Sequence, residues 1–129
     1  MSVRIVVADD EADIRRLIAF TLRRRGYLVL EASSGDAALE LIRAERPDLV
    51  VLDVMMPGLT GLEVAQALAL DPTTAGIPVV MLSARGQVTE VEAGIASGAR
   101  TYLVKPFIPQ ELAARIADIL ATRSQGTEA

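Results

Sequence analysis

The sequence predicts an α/β fold, a doubly wound arrangement in which one five-stranded parallel sheet has helices on both faces. Strand-like and helix-like segments alternate along the 129 residues, which is the pattern of repeated βα units. The strand-like segments are short apolar runs, as expected of strands that helices cover on both sides. Because crossovers between parallel strands are right-handed, the helices fall on both faces of the sheet.

The length and the composition of the chain fit one domain. A length of 129 residues suits one domain and leaves little room for a second. Hydrophobic residues make up 51% of the chain, which is enough for a core. We expect the domain to span residues 1–122. After Thr122 the sequence becomes polar, so 123–129 is expected to be a tail or the start of a linker.

The third strand-like segment is the most distinctive of the five. Its apolar run begins at Leu49, ends on Asp53 and is followed by Pro57-Gly58, a strong turn signal. The charged Glu31 in the second segment predicts an edge strand. The five strands are expected at 4–8, 27–32, 49–53, 78–82 and 101–104.

Helical periodicity and capping residues fill the intervals between the strands. Gly26 is expected to end the first helix, Ser33 or Ser34 to cap the second, and Pro109 to open the last. Gly94 interrupts the fourth helix and makes it the weakest of the set. The helices are expected near 11–25, 34–46, 62–70, 87–97 and 109–122, and in the first the helical spacing is that of Ile14, Leu17, Ile18 and Thr21.

The residue types that are missing exclude several kinds of site. The chain has no Cys and no His, which excludes disulfides, thiol nucleophiles, Cys/His zinc sites and Ser-His-Asp triads. A metal would need oxygen ligands, which favours a hard cation such as Mg²⁺ or Ca²⁺. The net charge of -4 argues against binding to nucleic acid or to an anionic membrane, and the run of Arg23-Arg24-Arg25 is interpreted as a solvated helix end. Without a spanning apolar run or a leader, a cytoplasmic location is expected.

Polar residues stand where four of the strands end. Asp9 and Asp10 follow the first strand, Asp53 ends the third, Ser83 follows the fourth and Lys105 follows the fifth. In a parallel sheet these ends share one edge, where diverging loops leave a solvent-accessible crevice for ligands. In the common order 2-1-3-4-5, the first and third strands are neighbours at about 4.8 Å. A gap of roughly 10 Å separates Lys105 from Asp53, which only a long side chain can cross.

This set of residues has the properties of a phosphoryl-transfer site. Three converging carboxylates would repel one another, and Mg²⁺ together with Lys105 would balance their charge. Asp53 is then a candidate nucleophile, since carboxylates form aspartyl-phosphates and are ionised at neutral pH. The cations would neutralise the phosphoryl oxygens and Ser83 would donate a hydrogen bond. No general base is required, which agrees with a chain that lacks His.

Over nearly its whole length, the chain resembles the receiver domain of bacterial response regulators. The matching motifs, in order, are Asp9-Asp10-Glu11, the segment from Asp53 to Gly58, Ser83-Ala84, and the segment from Gly98 to Phe107. Each motif is weak alone, but their joint occurrence at strand ends is very specific. The resemblance implies a flavodoxin-like fold, and the strand order 2-1-3-4-5 belongs to that family rather than following from these residues.

The resemblance also implies a role for each residue of the site. Asp53 would accept phosphate from a phosphohistidine on a sensor histidine kinase or phosphotransfer protein. Asp10 and Asp53 would bind Mg²⁺, with the main-chain carbonyl of Met55 as a further ligand and Asp9 nearby or acting through water. Lys105 would contact the phosphoryl group, and the bond to Pro106 is expected to be cis.

Other residues would transmit the signal or set its duration. Ser83 would turn toward the phosphoryl group, and Tyr102 would change rotamer with it. The face formed by the helices at 87–97 and 109–122 and the strand between them would act on a downstream effector domain or protein, with the chain a monomer or a phosphorylation-dependent homodimer. Met55 and Arg85 occupy positions that, in this family, tune the lifetime of the phosphate. Ser83 stands where Thr is more frequent, and Ile108 where a helix-capping Ser or Thr is common.

Two further functions are compatible with the same residues. A receiver-like interaction module would keep the fold without being phosphorylated, and it would show no affinity for Mg²⁺. A Mg²⁺-dependent phosphatase or mutase that acts through an aspartyl-phosphate usually has a lid domain and a second Asp at the position of Met55. The sequence has neither, so we expect a signalling phosphoacceptor rather than an enzyme.

Overall fold

Five parallel strands form one sheet in the computed structural model, which describes residues 2–84 and 101–128. Their spatial order is β2-β1-β3-β4-β5, so the order 2-1-3-4-5 that the resemblance implied is confirmed. Glu31 lies in β2 at the edge of the sheet, as its charge predicted. The strands are β1 (Arg4–Ala8), β2 (Leu28–Ala32), β3 (Leu49–Asp53), β4 (Val79–Ala84) and β5 (Thr101–Lys105).

Four helices lie within the described residues and cover both faces of the sheet. They are α1 (Ala12–Arg24), α2 (Gly35–Glu45), α3 (Gly61–Leu70) and α4 (Pro109–Glu128). The helix predicted at 87–97 and Arg85 lie outside the described residues. None of the described helices is both long enough and apolar enough to cross a bilayer.

The last helix is longer than the sequence predicted. It was expected to end at Thr122, but it continues to Glu128. Residues 123–128 contain no proline, and extending an existing helix requires only one more residue to be fixed for each new hydrogen bond. Polarity was therefore a poor guide to where this helix ends.

The core consists of two apolar layers, one on each face of the sheet. Successive residues of a strand point to opposite faces, so Val50 and Leu52 face one layer while Leu49 and Val51 face the other. The first layer packs against α2 and α3, and the second packs against α1 and α4. The central strand β3 is buried along its whole length, which fixes the position of its last residue, Asp53.

Side-chain caps determine where two of the helices begin. Ser34 caps α2 by accepting a hydrogen bond from the main-chain nitrogen of Ala37 at 3.2 Å, as one of the two predicted alternatives. Thr60 and Glu63 cap α3 reciprocally: the Thr60 hydroxyl accepts from the Glu63 nitrogen, and the Glu63 carboxylate accepts from the Thr60 nitrogen. The start of α3, directly beyond the loop after β3, is therefore well defined.

One residue of the apolar spacing that predicted α1 does not face the core. Leu17 is 51% exposed, whereas Ile18, Ala19 and Leu22 are buried. The apolar face of a helix is about 100° wide, so several rotations of the helix can bury part of the same apolar set. Here the buried line runs through Ile18 and Leu22, which are four positions apart. The apolar spacing from Ile14 to Thr21 correctly predicted the helix but not its rotation about its axis.

Candidate functional site

Polar side chains from four strands meet at the carboxyl edge of the sheet. The register places Ala8 beside Leu52 and Ala84 beside Lys105, so the residues that follow β1 and end β3 and β5 lie at one level. Asp53 stands opposite Leu82, one residue before Ser83. The predicted convergence at one edge of the sheet is confirmed.

Lys105 crosses this edge and joins acids from different strands. Its ammonium nitrogen lies 2.9 Å from Asp53 Oδ2, 3.0 Å from Asp9 Oδ2 and 3.2 Å from Glu11 Oε1. Only 13% of its side chain is exposed. The prediction that a long cationic side chain would reach Asp53 across the strand between them is therefore confirmed.

Asp53 is more covered than an open crevice would make it. Its side chain is 5% exposed, and both of its oxygens have a partner. Oδ2 faces Lys105, and Oδ1 accepts a hydrogen bond from the main-chain nitrogen of Met55 at 3.2 Å. The prediction of an open, accessible carboxylate was thus wrong, because the Lys105 ammonium and the Met55 nitrogen occupy both of its oxygens.

Four carboxylates cluster at this edge, and three of them contact the Lys105 ammonium. Asp9 and Asp53 are buried, whereas Asp10 and Glu11 are exposed, and one oxygen from each lies within 4.8 Å of the others. Asp9 Oδ1 also accepts from the main-chain nitrogen of Glu11 at 2.9 Å, which holds the turn after β1. An all-oxygen cluster of this size could hold a hard metal ion.

The ionisation of Asp53 and Lys105 reflects their burial and their pairing. Burial, assisted by the negative charge of Asp9, raises the pKa of Asp53 to about 6, although the hydrogen bond from Lys105 opposes the shift. Burial alone would lower the pKa of Lys105, but its hydrogen bonds to Asp53 and Asp9 raise it above the ordinary value. At pH 7 the acid is therefore mostly ionised and the lysine is fully charged.

Ser83 is a buried hydroxyl beside this cluster. It has no exposed surface, and its Oγ has no hydrogen-bond partner among the described residues. An unpartnered buried hydroxyl costs free energy, so its presence here needs an explanation.

Of the other predicted residues, Tyr102 is partly buried against the layer that packs on α2 and α3, and Met55 is exposed. The bond between Lys105 and Pro106 is cis, as the resemblance implied.

Two residues without a predicted role lie against this site. Glu11 contacts Lys105, and its signal was its position directly after Asp9-Asp10. Gly61 packs so closely that a Cβ there would overlap the main-chain oxygen of Asp53. A single glycine after a turn gave no signal of that contact.

Comparisons with known proteins show the family to which this chain belongs. The family model described as "Response regulator receiver domain" matches residues 5–117. The phosphate regulon transcriptional regulatory protein PhoB of Pseudomonas aeruginosa is 42% identical over 122 residues, which are 95% of this chain and 53% of PhoB. The DNA-binding response regulator MtrA of Mycobacterium leprae is 41% identical over 116 residues, 90% of this chain and 50% of MtrA.

A solved structure extends the likeness to the fold. The chemotaxis response regulator CheY4 of Vibrio cholerae superimposes with a TM-score of 0.86 at 31% identity, covering 92% of this chain and 99% of that one. The chain spans about half the length of the curated relatives it matches. It belongs to the family of response regulator receiver domains, the signalling domains of two-component systems.

Proposed function

We propose that Asp53 is the phosphoacceptor of this receiver domain and takes a phosphoryl group from a sensor histidine kinase or phosphotransfer protein. The observation that supports this most directly is the contact of 2.9 Å between Lys105 Nζ and Asp53 Oδ2 inside a cluster of acids. A lysine held there can form a charge-assisted hydrogen bond to a phosphoryl group as soon as one is attached to Asp53. No observation favours a receiver-like module that is never phosphorylated.

Mg²⁺ is the metal that fits the residues at this edge. The carboxylates of Asp10 and Asp53 and the main-chain carbonyl of Met55 would be ligands, with Asp9 acting through water. All of these donors are oxygens, and together with Lys105 a divalent ion would nearly balance the charge of the four acids. When bound, Mg²⁺ would neutralise part of the negative charge on the phosphoryl oxygens.

The protein's own residues account for the rest of the reaction. Because the pKa of Asp53 is about 6, its carboxylate is ionised at neutral pH and can attack phosphorus without a general base. A bond forms between a carboxylate oxygen and phosphorus while the bond from phosphorus to the donor's imidazole nitrogen breaks, and that nitrogen keeps the electron pair. Lys105 would move from a carboxylate oxygen to a phosphoryl oxygen.

Ser83 would connect phosphorylation to the rest of the domain. Its buried hydroxyl lacks a partner among the described residues, and a phosphoryl oxygen would supply one. Movement of Ser83 would change the space next to Tyr102, which lies on the neighbouring strand in register with Met81. We infer that this pair transmits the signal to the surface containing β5 and α4, where an effector domain or protein would bind.

The relatives suggest what that effector is. Their names describe transcriptional and DNA-binding regulators, and this chain matches about half of each. We infer that residues 1–122 are the switching domain and that DNA binding belongs to another domain or protein. This assignment leaves the acidic receiver itself without a nucleic-acid contact.

Phosphorylation of Asp53 can be tested with a small phosphodonor. In the presence of Mg²⁺, we expect the protein to acquire one acid-stable, base-labile phosphate, and Asp53→Asn to acquire none. Asp71→Asn is a matched control, because Asp71 is a partly exposed aspartate outside the acidic cluster and its partner is Thr73. Phosphate on Asp53→Asn, or none on the unmodified protein, would contradict the proposal.

A further inference from the structure

Arg15 contacts the turn that contains the acidic pair. Its Nη1 donates a hydrogen bond to the main-chain oxygen of Asp9 at 3.0 Å, and its Nε donates to Glu31 Oε1 at 3.2 Å. The oxygen that accepts this bond belongs to the peptide between Asp9 and Asp10. Arg15 therefore links α1, the edge strand β2 and the turn between the two acids.

Arg15 differs from the second arginine that contacts Glu31. The Arg15 side chain is 15% exposed, whereas that of Arg23 is 50% exposed. Arg23 contacts Glu31 Oε2 at 3.3 Å and donates to the main-chain oxygen of Val29 at the edge strand. Both arginines share the glutamate, but only Arg15 has a hydrogen bond to the acidic turn.

We propose that Arg15, held by Glu31, is a positioning residue that orients the peptide between Asp9 and Asp10 for binding of Mg²⁺. This inference rests on the proposed function. Asp9 is fully buried and also anchored by its contacts with Lys105 and the Glu11 nitrogen, so the orientation of the next peptide decides where the exposed Asp10 carboxylate points. Groups that orient a ligand in this way typically change metal affinity by roughly 10–100-fold when they are removed.

The charge of Arg15 and its hydrogen bond have opposite effects on the affinity for a cation. A guanidinium beside the site repels Mg²⁺, so removal of the charge alone would tighten binding. Loss of the hydrogen bond to Asp9 would instead release the peptide and weaken binding. The sign of the change therefore separates a positioning role from a purely electrostatic one.

The test is a calorimetric titration of Mg²⁺ into the unmodified protein, Arg15→Met, Arg15→Lys and Arg23→Met. We expect Arg15→Met to raise the Kd roughly tenfold. Arg23→Met removes the same charge and a contact with the same glutamate, so its Kd should be unchanged or slightly lower. Arg15→Lys keeps the charge but replaces the forked guanidinium by a single ammonium group. It should therefore still bind Mg²⁺ more weakly than the unmodified protein does.

Each outcome bears on one claim. If the unmodified protein does not bind Mg²⁺, the proposed function fails, whatever the variants do. If it binds and Arg15→Met binds equally well or more tightly, the positioning role is wrong. Urea unfolding of all four proteins gives the folded fraction at the titration temperature, so a loss of stability cannot be mistaken for a loss of affinity.

Discussion

At the scale of single residues, Lys105 determines the electrostatics of the site. A buried cation is tolerated only when it is paired, and this one has carboxylates from two buried acids and one exposed acid. The pairing is incomplete on the acid side, because one lysine cannot fully stabilise both Asp53 and Asp9. Burial raises the pKa of Asp53, and the negative charge of Asp9 adds to the shift.

Replacement of Asp53 by Asn should stabilise the protein in the absence of Mg²⁺. The pKa of Asp53 is about 6 in the folded state and 3.8 for the ordinary group, so the folded state binds more protons between those values. The free energy of unfolding therefore falls as pH rises from about 4 to 6, and it stays lower at pH 7. We expect a gain of at most about 3 kcal/mol for Asp53→Asn at pH 7, reduced where water screens the carboxylate.

Urea unfolding with a chelator, at pH 7 and at pH 4, measures this difference. The gain should shrink at pH 4, where the native acid is largely protonated. Asp71→Asn is the control, because a hydrogen bond from the Thr73 nitrogen lowers the pKa of Asp71 and makes its charge favourable. Equal unfolding midpoints for Asp53→Asn and the unmodified protein at pH 7 would show that the carboxylate is not strained.

The sequence predicted which residues lie at the site better than it predicted their burial and their contacts. Asp9, Asp53 and Lys105 were found from their places at strand ends, because a parallel sheet brings those ends together. The burial of Asp53 was missed, because it depends on three-dimensional contacts with Lys105 and with the turn that contains Met55. Glu11 received no role because side-chain reach, rather than sequence position, decides whether it meets the lysine.

At the scale of elements, the loop between β3 and α3 is held by two crowded glycines. A Cβ at Gly61 would overlap the main-chain oxygen of Asp53, and one at Gly35 would overlap the main-chain oxygen of Leu59. The Gly35 nitrogen also donates to the Pro57 oxygen at 3.2 Å, which ties α2 to the same loop. Gly35 thus holds the middle of the loop, whereas Gly61 packs against the backbone of the acceptor itself.

Gly61→Ala should slow phosphorylation of Asp53 more than its loss of stability explains. The new methyl group must displace either α3 or the backbone of Asp53, and overpacking of this kind typically costs about 1–3 kcal/mol. Gly35→Ala is the matched control: it is similarly crowded, but its contact is with Leu59. Rates with a small phosphodonor and urea unfolding should show both variants destabilised and only Gly61→Ala markedly slower.

The elements themselves were largely predictable, and their errors have physical causes. All five strands were found, because buried apolar runs bounded by turn residues have few other interpretations. The rotation of α1, which exposes Leu17, depends on packing against α4 and the sheet. The extension of α4 to Glu128 depends on propagation of a formed helix, which composition does not report.

At the scale of the whole molecule, the carboxyl edge concentrates negative charge that folding must bring together. Four carboxylates lie within 4.8 Å of one another, whereas Lys105 is the cation that contacts three of them within the described residues. In the unfolded chain Asp53 is far from the three consecutive acids Asp9, Asp10 and Glu11, and water screens the repulsion among them. The domain should therefore be less stable without a bound cation than its apolar core would allow.

Mg²⁺ should consequently raise the free energy of unfolding in a saturable way. A ligand that binds only the folded state stabilises it by about 2.7 kcal/mol at 100 times its Kd. Urea unfolding across a series of MgCl₂ concentrations measures this effect, and NaCl at matched ionic strength controls for general screening of the acids. Asp10→Asn should reduce the Mg²⁺ dependence while leaving the NaCl dependence similar. Equal stabilisation by the two salts would mean that the cluster is screened rather than occupied, and the proposal of a specific metal site would fail.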